Sequence, residues 1–569
     1  MFFVAGSVIF FGCLLAGWGG LCVRYMRFET DNPWVYPYLG MFAAGILFSA
    51  ASMFVPLNGV ALAAFVLVGL IGLPLWGRAL RAWRLGHSRE ACGVFLLFIA
   101  ACTVTLAAHC AHTEWSASYA YDTDLYHANT VRWLNEYGTP PGLANLHTRL
   151  GMNSVWLTLS GLFDNGYWDN RTAWVMPVLL YSCAIPYLLH IFLFNPGRIA
   201  SPFCGAMLLF VIGGSTRLSY PSLYYDLPAL FINIAVFAEC LARAEDGWDI
   251  TPGQASLITS FAALAFTIKP LTGVSVLFAA GVALYGLKKT QRLSIAHFSV
   301  AFAPAATAGI VWMARNCLLS GYPLFPLPLI SLPVDWATPK VMALGNYEAI
   351  IGWARTPGPG YWQSLHTWSW IAPWLKRNIE WQVFWLYTGL PLLAGIPLWF
   401  RALCRRGRVL SAFFGVWVAL CLLYWFVTAP ALRFGGIFFQ VFFAMGLAFA
   451  FHQTMWLSAW EINCAKFLQS GRACLLMSAI ILLMAIIVNA GQLHSPKRNI
   501  FHVGSIPARE LSSRTLDTSV SPPLKLFFPV NGDDRCGNSP LPCTPHDNPS
   551  LSLRLPGSLG GGFYFPYSE

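Results

Sequence analysis

What this sequence has least of is charge. Asp, Glu, Lys and Arg make up 10% of its 569 residues, against roughly one quarter in an ordinary soluble domain, and a solvated globule is excluded. No basic residue precedes the apolar stretch from Met1 to Gly20, and no small-residue cleavage site follows it. A removable secretory signal is therefore not expected, and the stretch reads as a first crossing. There is no single basic patch either. The Lys and Arg behind the formal charge of +11 fall in short gaps between apolar blocks, which argues for topology signals and against nucleic acid. No internal repeat is visible, so an inverted-repeat transporter has no direct support. Cysteine is nearly absent from polar sequence: thirteen of the fifteen lie in or beside apolar blocks, where they act as small, inert hydrophobes.

What is present is apolar: 57% of the residues are hydrophobic, in blocks such as Met41 to Val55, Val60 to Trp76 and Val409 to Val427. These are close to the roughly 20 residues a helix needs to cross a bilayer. The expected fold is an all-α polytopic bundle of about fourteen spans, with a membrane domain over 1–490 and an external tail over 491–569. Spans are expected to start near residues 2, 36, 58, 92, 172, 202, 227, 254, 271, 296, 384, 409, 434 and 473. Those near 254 and 271 are short enough to be one broken pair.

Short basic loops are normally retained in the cytoplasm. The gaps holding Arg78, Arg81, Arg84 and Arg89, then Lys288, Lys289 and Arg292, then Arg401, Arg405, Arg406 and Arg408 share one parity, as do those at Arg198, Arg243 and Lys466. One orientation satisfies all six, with both termini outside. The external side then receives the large loops 110–171 and 316–383, the Arg433 turn and the tail. Long loops are uncommon unless they do something.

The first large loop carries Asp122-Thr123-Asp124-Leu125-Tyr126-His127. There, Leu125, Ala128, Val131 and Leu134 form one stripe of a short amphipathic helix. Asp122 and Asp124 at its start can be helix caps. They can also be working carboxylates, because other polar groups face the same side. Lys269 precedes Pro270 at a helix break, Arg315-Asn316 ends an outward span, Arg433 sits between two spans, and Asp226 starts a helix after Tyr224-Tyr225. Singly, such cations often only snorkel to the interface. Together, a carboxylate beside fixed cations suits transfer from an anionic donor. The carboxylate takes a proton from an attacking hydroxyl while the cations stabilise a leaving phosphate.

The segment Asp122-Thr-Asp-Leu-Tyr126-His-Ala resembles the Asp-Glu-x-x-Tyr element in the first external loop of GT-C type glycosyltransferases, polytopic enzymes that use polyprenyl-phosphate-linked sugars. Lys269 at an external break, Arg315-Asn316 before Ser320-Gly-Tyr-Pro-Leu-Phe-Pro326, and Arg433-Phe434 are similar to a bacterial branch of that superfamily. The resemblance implies a glycosyltransferase of the bacterial cytoplasmic membrane, its site facing the periplasm or exterior. Asp122 would be the catalytic base, with Asp124 beside it. Tyr126, His127, Asp226, Lys269, Arg315 and Arg433 would bind substrate, and the acceptor would be a glycan, lipid or protein. Thr123 departs from the usual acidic residue, and the extra Asp124 creates Asp-x-Asp, which could hold a divalent ion between two carboxylates. A surface-polysaccharide polymerase or ligase, or a lipid-linked sugar transporter or flippase, are the rival readings.

The loop 316–383 is rich in Trp, among them Trp336, Trp353, Trp362, Trp368, Trp370, Trp374 and Trp381. They read as an interfacial aromatic belt, or together as a lid over a lipid donor. In the tail, Cys536 and Cys543 are expected to close a small disulfide loop.

Overall fold

A computed structural model describes residues 1–113, 115–116, 120–218, 220–381, 384–404, 408–451 and 503–566. Among them are 11 helices long and apolar enough to cross a membrane, from Phe2–Tyr25 to Leu432–Phe451. Each begins within a few residues of an expected start, because length and hydropathy alone dictate this class of element. Two of the other three expected spans form apolar helices with shorter apolar stretches, Ala200–Gly214 and Pro252–Ile268. The span expected near 473 lies outside the described residues, as do Lys466, Arg405 and Arg406. The chain is an integral membrane protein.

Burial sorts the helices into an inner and an outer set. Thr172–Phe194 is 83% buried over its apolar window, and Asp226–Glu245 is 78% buried. Gly59–Leu85 and Ile295–Ser320 are 17% buried, so their apolar side chains are left for lipid. Apolar helices gain little by exchanging lipid for one another, so close backbone approach through small residues becomes important. A Cβ added to Gly72 would stand 1.9 Å from the carbonyl oxygen of Gly17, and one on Gly17 would stand 2.0 Å from that of Gly69. Helix Phe2–Tyr25 can lie against Gly59–Leu85 only because these positions lack side chains.

The two long loops are largely helical, not irregular. Loop 110–171 holds Ala128–Glu136 and Val155–Phe163; loop 316–383 holds Lys340–Arg355 and Ile371–Ile379. They pack together at one end of the bundle. The Gly142 N–H donates to the Leu318 carbonyl at 2.9 Å, the Asn145 amide donates to the Trp336 carbonyl at 3.0 Å, and Ala144, Tyr322, Phe325 and Ala343 share a small core.

The all-α expectation fails in the tail, which forms two antiparallel pairs. β1 (Leu511–Asp517) pairs with β2 (Leu524–Pro529), Leu511 opposite Pro529, with an irregularity between Thr515 and Asp517. β3 (Ser552–Leu553) pairs with β4 (Phe563–Tyr564). Ser, Thr and β-compatible residues around prolines and glycines suit short pleated pairs and no long helix. Cys536 and Cys543 are disulfide-bonded. The tail rests on the loops: the Phe563 N–H donates to the Pro141 carbonyl, Thr544 Oγ1 donates to the Leu146 carbonyl, and Arg554 pairs with Asp335 at 2.8 Å.

Candidate functional site

The amphipathic stripe forms as expected, with Ala128, Val131 and Leu134 buried in helix Ala128–Glu136. The segment before it, Thr123–His127, is a wider π-type turn, a form found often at functional sites. Asp122 stands at the start of that turn, and its side chain makes no cap hydrogen bond. Its Oδ2 instead meets Nη2 of Arg433 at 2.7 Å, with the Asp122 side chain 19% exposed and that of Arg433 48% exposed. This pair joins the first large loop to the start of helix Leu432–Phe451.

A second pair lies beside the first. Pro270 ends helix Pro252–Ile268, leaving Lys269 at the break, and Lys269 Nζ pairs with Asp226, the first residue of helix Asp226–Glu245. A carboxylate there also faces the positive end of the helix dipole. Aromatic faces hold both cations. Lys269 Nζ sits 3.4 Å from the centre of the Phe434 ring, and the Arg433 guanidinium lies 4.8 Å from Phe434 and 5.5 Å from Tyr224. Burial lowers the Lys269 amine from its ordinary range, while Asp226 pulls it back up.

Tyr126 and His127 form the wall behind these pairs. The hydroxyls of Tyr126 and Tyr225 are 3.0 Å apart, and the His127 ring packs against Tyr126, Tyr224 and Tyr225. Thr123 Oγ1 accepts the Leu223 N–H at 3.0 Å and so fixes the turn to the segment before Asp226. Burial holds His127 down at about 3, so it is neutral in ordinary solution. Six of the eight expected site residues therefore meet: Asp122, Tyr126, His127, Asp226, Lys269 and Arg433.

The other two point elsewhere. Asp124, with no exposed side-chain surface, pairs with Arg509 of the tail and accepts a bond from Trp115 Nε1 at 3.2 Å. The two carboxylates of Asp-x-Asp thus engage different cations and do not converge as a shared metal site requires. No group of three or more His, Cys, Asp or Glu suited to a metal occurs among the described residues. Arg315 is buried away from the cluster, donating to Thr139 Oγ1, Asn153 Oδ1 and Thr158 Oγ1 at 3.2, 2.6 and 3.0 Å.

Below the ion pairs, between the spanning helices, is a cavity of about 210 Å³. Leu180, Phe210, Phe231 and Ile437 line it with apolar surface, while Asp226 and Arg433 supply charge and Tyr224 a hydroxyl. Trp381, from the aromatic loop, also lines it and is itself exposed, as are Trp353, Trp362 and Trp368, while Trp370 packs with Trp374 and Trp425.

Sequence reasoning passed over Tyr224 and Tyr225, although they stand beside Asp226. It also missed Gln440, a single amide in the apolar run Ile437-Phe-Phe-Gln-Val-Phe-Phe443 that lines the cavity. Arg149, whose charge acts on both Tyr126 and Tyr225, carried no local signal.

No curated protein and no solved structure matches the chain. One family does match over residues 1–443, an extent that contains Asp122, Asp226, Lys269 and Arg433 and ends before the tail: the chain belongs to the family described as Domain of unknown function (DUF8201).

Proposed function

We propose that this protein is a membrane glycosyltransferase that moves a sugar from a polyprenyl-phosphate carrier to an acceptor on the non-cytoplasmic face. The observation that carries the reading is the Asp122–Arg433 pair beside an apolar cavity between spanning helices. One place offers berth for a lipid chain, a guanidinium fork for its phosphate and a carboxylate for a hydroxyl proton.

In this scheme the donor phosphate binds Arg433 and Lys269 and competes with Asp122 for the guanidinium. Released from that partner, Asp122 becomes a better base. The acceptor hydroxyl gives its proton to Asp122 as its oxygen attacks the anomeric carbon. The bond from that carbon to the phosphate oxygen breaks, and the polyprenyl phosphate leaves with its new charge on the two cations. Attack opposite the leaving group inverts the anomeric centre. The basic short loops support an external position for this end of the bundle, where nucleotide sugars would be absent and lipid-linked donors the accessible class.

Two adjacent cations also suit a diphosphate, the donor group of a polysaccharide polymerase or ligase. The test is transfer by the purified chain from radiolabelled sugars on polyprenyl monophosphate and on polyprenyl diphosphate. The monophosphate donor is expected to be used. Exclusive use of the diphosphate favours the polymerase or ligase, and failure to bind either lipid removes the reading.

A further inference from the structure

Arg315 is 2% exposed on helix Ile295–Ser320, yet its hydrogen-bond partners are two hydroxyls and an amide oxygen, all neutral. Taking a guanidinium out of water costs several kcal/mol unless an opposite charge is near, and no ion pair to it occurs among the described residues. Arg315 lines a small cavity of about 10 Å³, together with Trp133, Ser154, Thr130, Met152 and Leu319. Two of these neighbours are also unsatisfied. Trp133 Nε1 and Ser154 Oγ are buried with no hydrogen-bond partner among the described residues, on side chains 0% and 1% exposed.

Donors dominate the chemistry of this lining. An indole N–H and a guanidinium only donate, and a serine hydroxyl can donate. The Thr130 hydroxyl is already committed to the Tyr126 carbonyl at 2.9 Å. A water could accept from two of these donors and donate to the Thr130 oxygen, but it would leave the buried guanidinium charge uncompensated. A monatomic anion accepts from these donors and neutralises the buried charge. We propose that Arg315, Trp133 and Ser154 form a halide site, occupied by chloride, that fastens helix Ala128–Glu136 to helix Ile295–Ser320. Thr130 and Trp133 belong to the helix that continues directly from the Asp122 turn, so the ion buttresses that turn from below. The site stands on these residues alone and does not depend on any assigned activity.

The test is thermal unfolding of the full chain in detergent at constant ionic strength, in sodium chloride, bromide or gluconate. Chloride and bromide are expected to raise the unfolding temperature over gluconate by on the order of 2 °C, saturating with concentration. Trp133→Phe and Ser154→Ala each remove one donor with little change of shape, and each should raise the half-saturating chloride concentration about tenfold. Should either variant fail to fold, bromide soaked into crystals of the unaltered chain supplies an independent readout, an anomalous peak beside Arg315. Equal unfolding temperatures in chloride and gluconate, or crystals with no bromide peak there, mean a water or nothing fills the space and overturn the proposal.

Discussion

Asp122 and Asp124 belong to one turn and have opposite surroundings. Asp122 is partly exposed and pairs with Arg433, which lines the cavity; Asp124 is sealed under the tail against Arg509. A helical chain turns about 100° per residue, so side chains two positions apart face nearly opposite ways. The comparison teaches that an Asp-x-Asp motif at the start of a helix splits its carboxylates, one to each side. Only the side that opens on the cavity can meet a substrate, and the other can fasten the turn in place.

The largest expected effect sharpens the open side. Asp122→Asn keeps the shape and removes the basicity, and no cap hydrogen bond is lost because none is made. Sugar transfer should fall at least about 100-fold, with the unfolding temperature close to that of the unaltered chain. Full activity in the variant would show that the carboxylate is not the base.

The closed side should fail in stability first. Arg509→Met leaves Asp124 buried and unpaired, which should cost about 3 kcal/mol, seen as a lowered unfolding temperature with transfer falling as folded protein is lost. Adding Asp124→Asn should return part of the stability, since the stranded charge is then gone. A wild-type unfolding temperature for Arg509→Met would mean that the tail is not fastened through this pair, and the contrast between the two sides would collapse.

Arg433→Lys tests the open pair more gently. The charge is kept and the fork is lost, so donor use should drop about tenfold with expression retained. An equal loss of folded protein would assign Arg433 to structure instead of donor binding.

The fold was legible where one property decides it. Spans follow from length and hydropathy, and the Lys269-Pro270 break follows from proline chemistry. The stripe Ala128, Val131 and Leu134 was readable, but the π-type turn preceding it was not, because it arises where the Asp122–Arg433 pair and the Thr123–Leu223 bond hold the chain. The candidate site was readable as a set of residue types facing one side, and its pairings were not. Nothing near Asp122 names Arg433, nor anything near Asp124 names Arg509, since contacts so far apart in sequence are made by the fold. Arg315 shows the reverse case: its sequence context resembled that of a phosphate partner, while its depth in the bundle gives it hydroxyl and amide neighbours.

The smallest effect concerns His127, which lies in the same turn and should not titrate during the reaction. Burial holds it at about 3 in the folded chain, against about 6.5 when unfolded. Between these values the unfolded chain binds the extra proton. The stability that His127 contributes is therefore present above about pH 6.5 and is lost as pH falls toward 3. His147, half-buried and held down at about 3 by desolvation, acts in the same direction. Asp164 acts in the opposite one: burial pushes its carboxyl up to about 6, so its contribution is present at low pH and is lost as pH rises through 6. The slope of the unaltered chain mixes these groups, and the informative quantity is its difference from His127→Gln. Between pH 7 and 6 that difference should be below about 1 kcal/mol, with the unaltered chain losing more stability on acidification. Its transfer rate should show no step near 6.5 that the variant lacks. Such a step would mean that His127 gains a proton while folded, which requires the turn to open to water, and the line drawn between an open and a closed side would have to move.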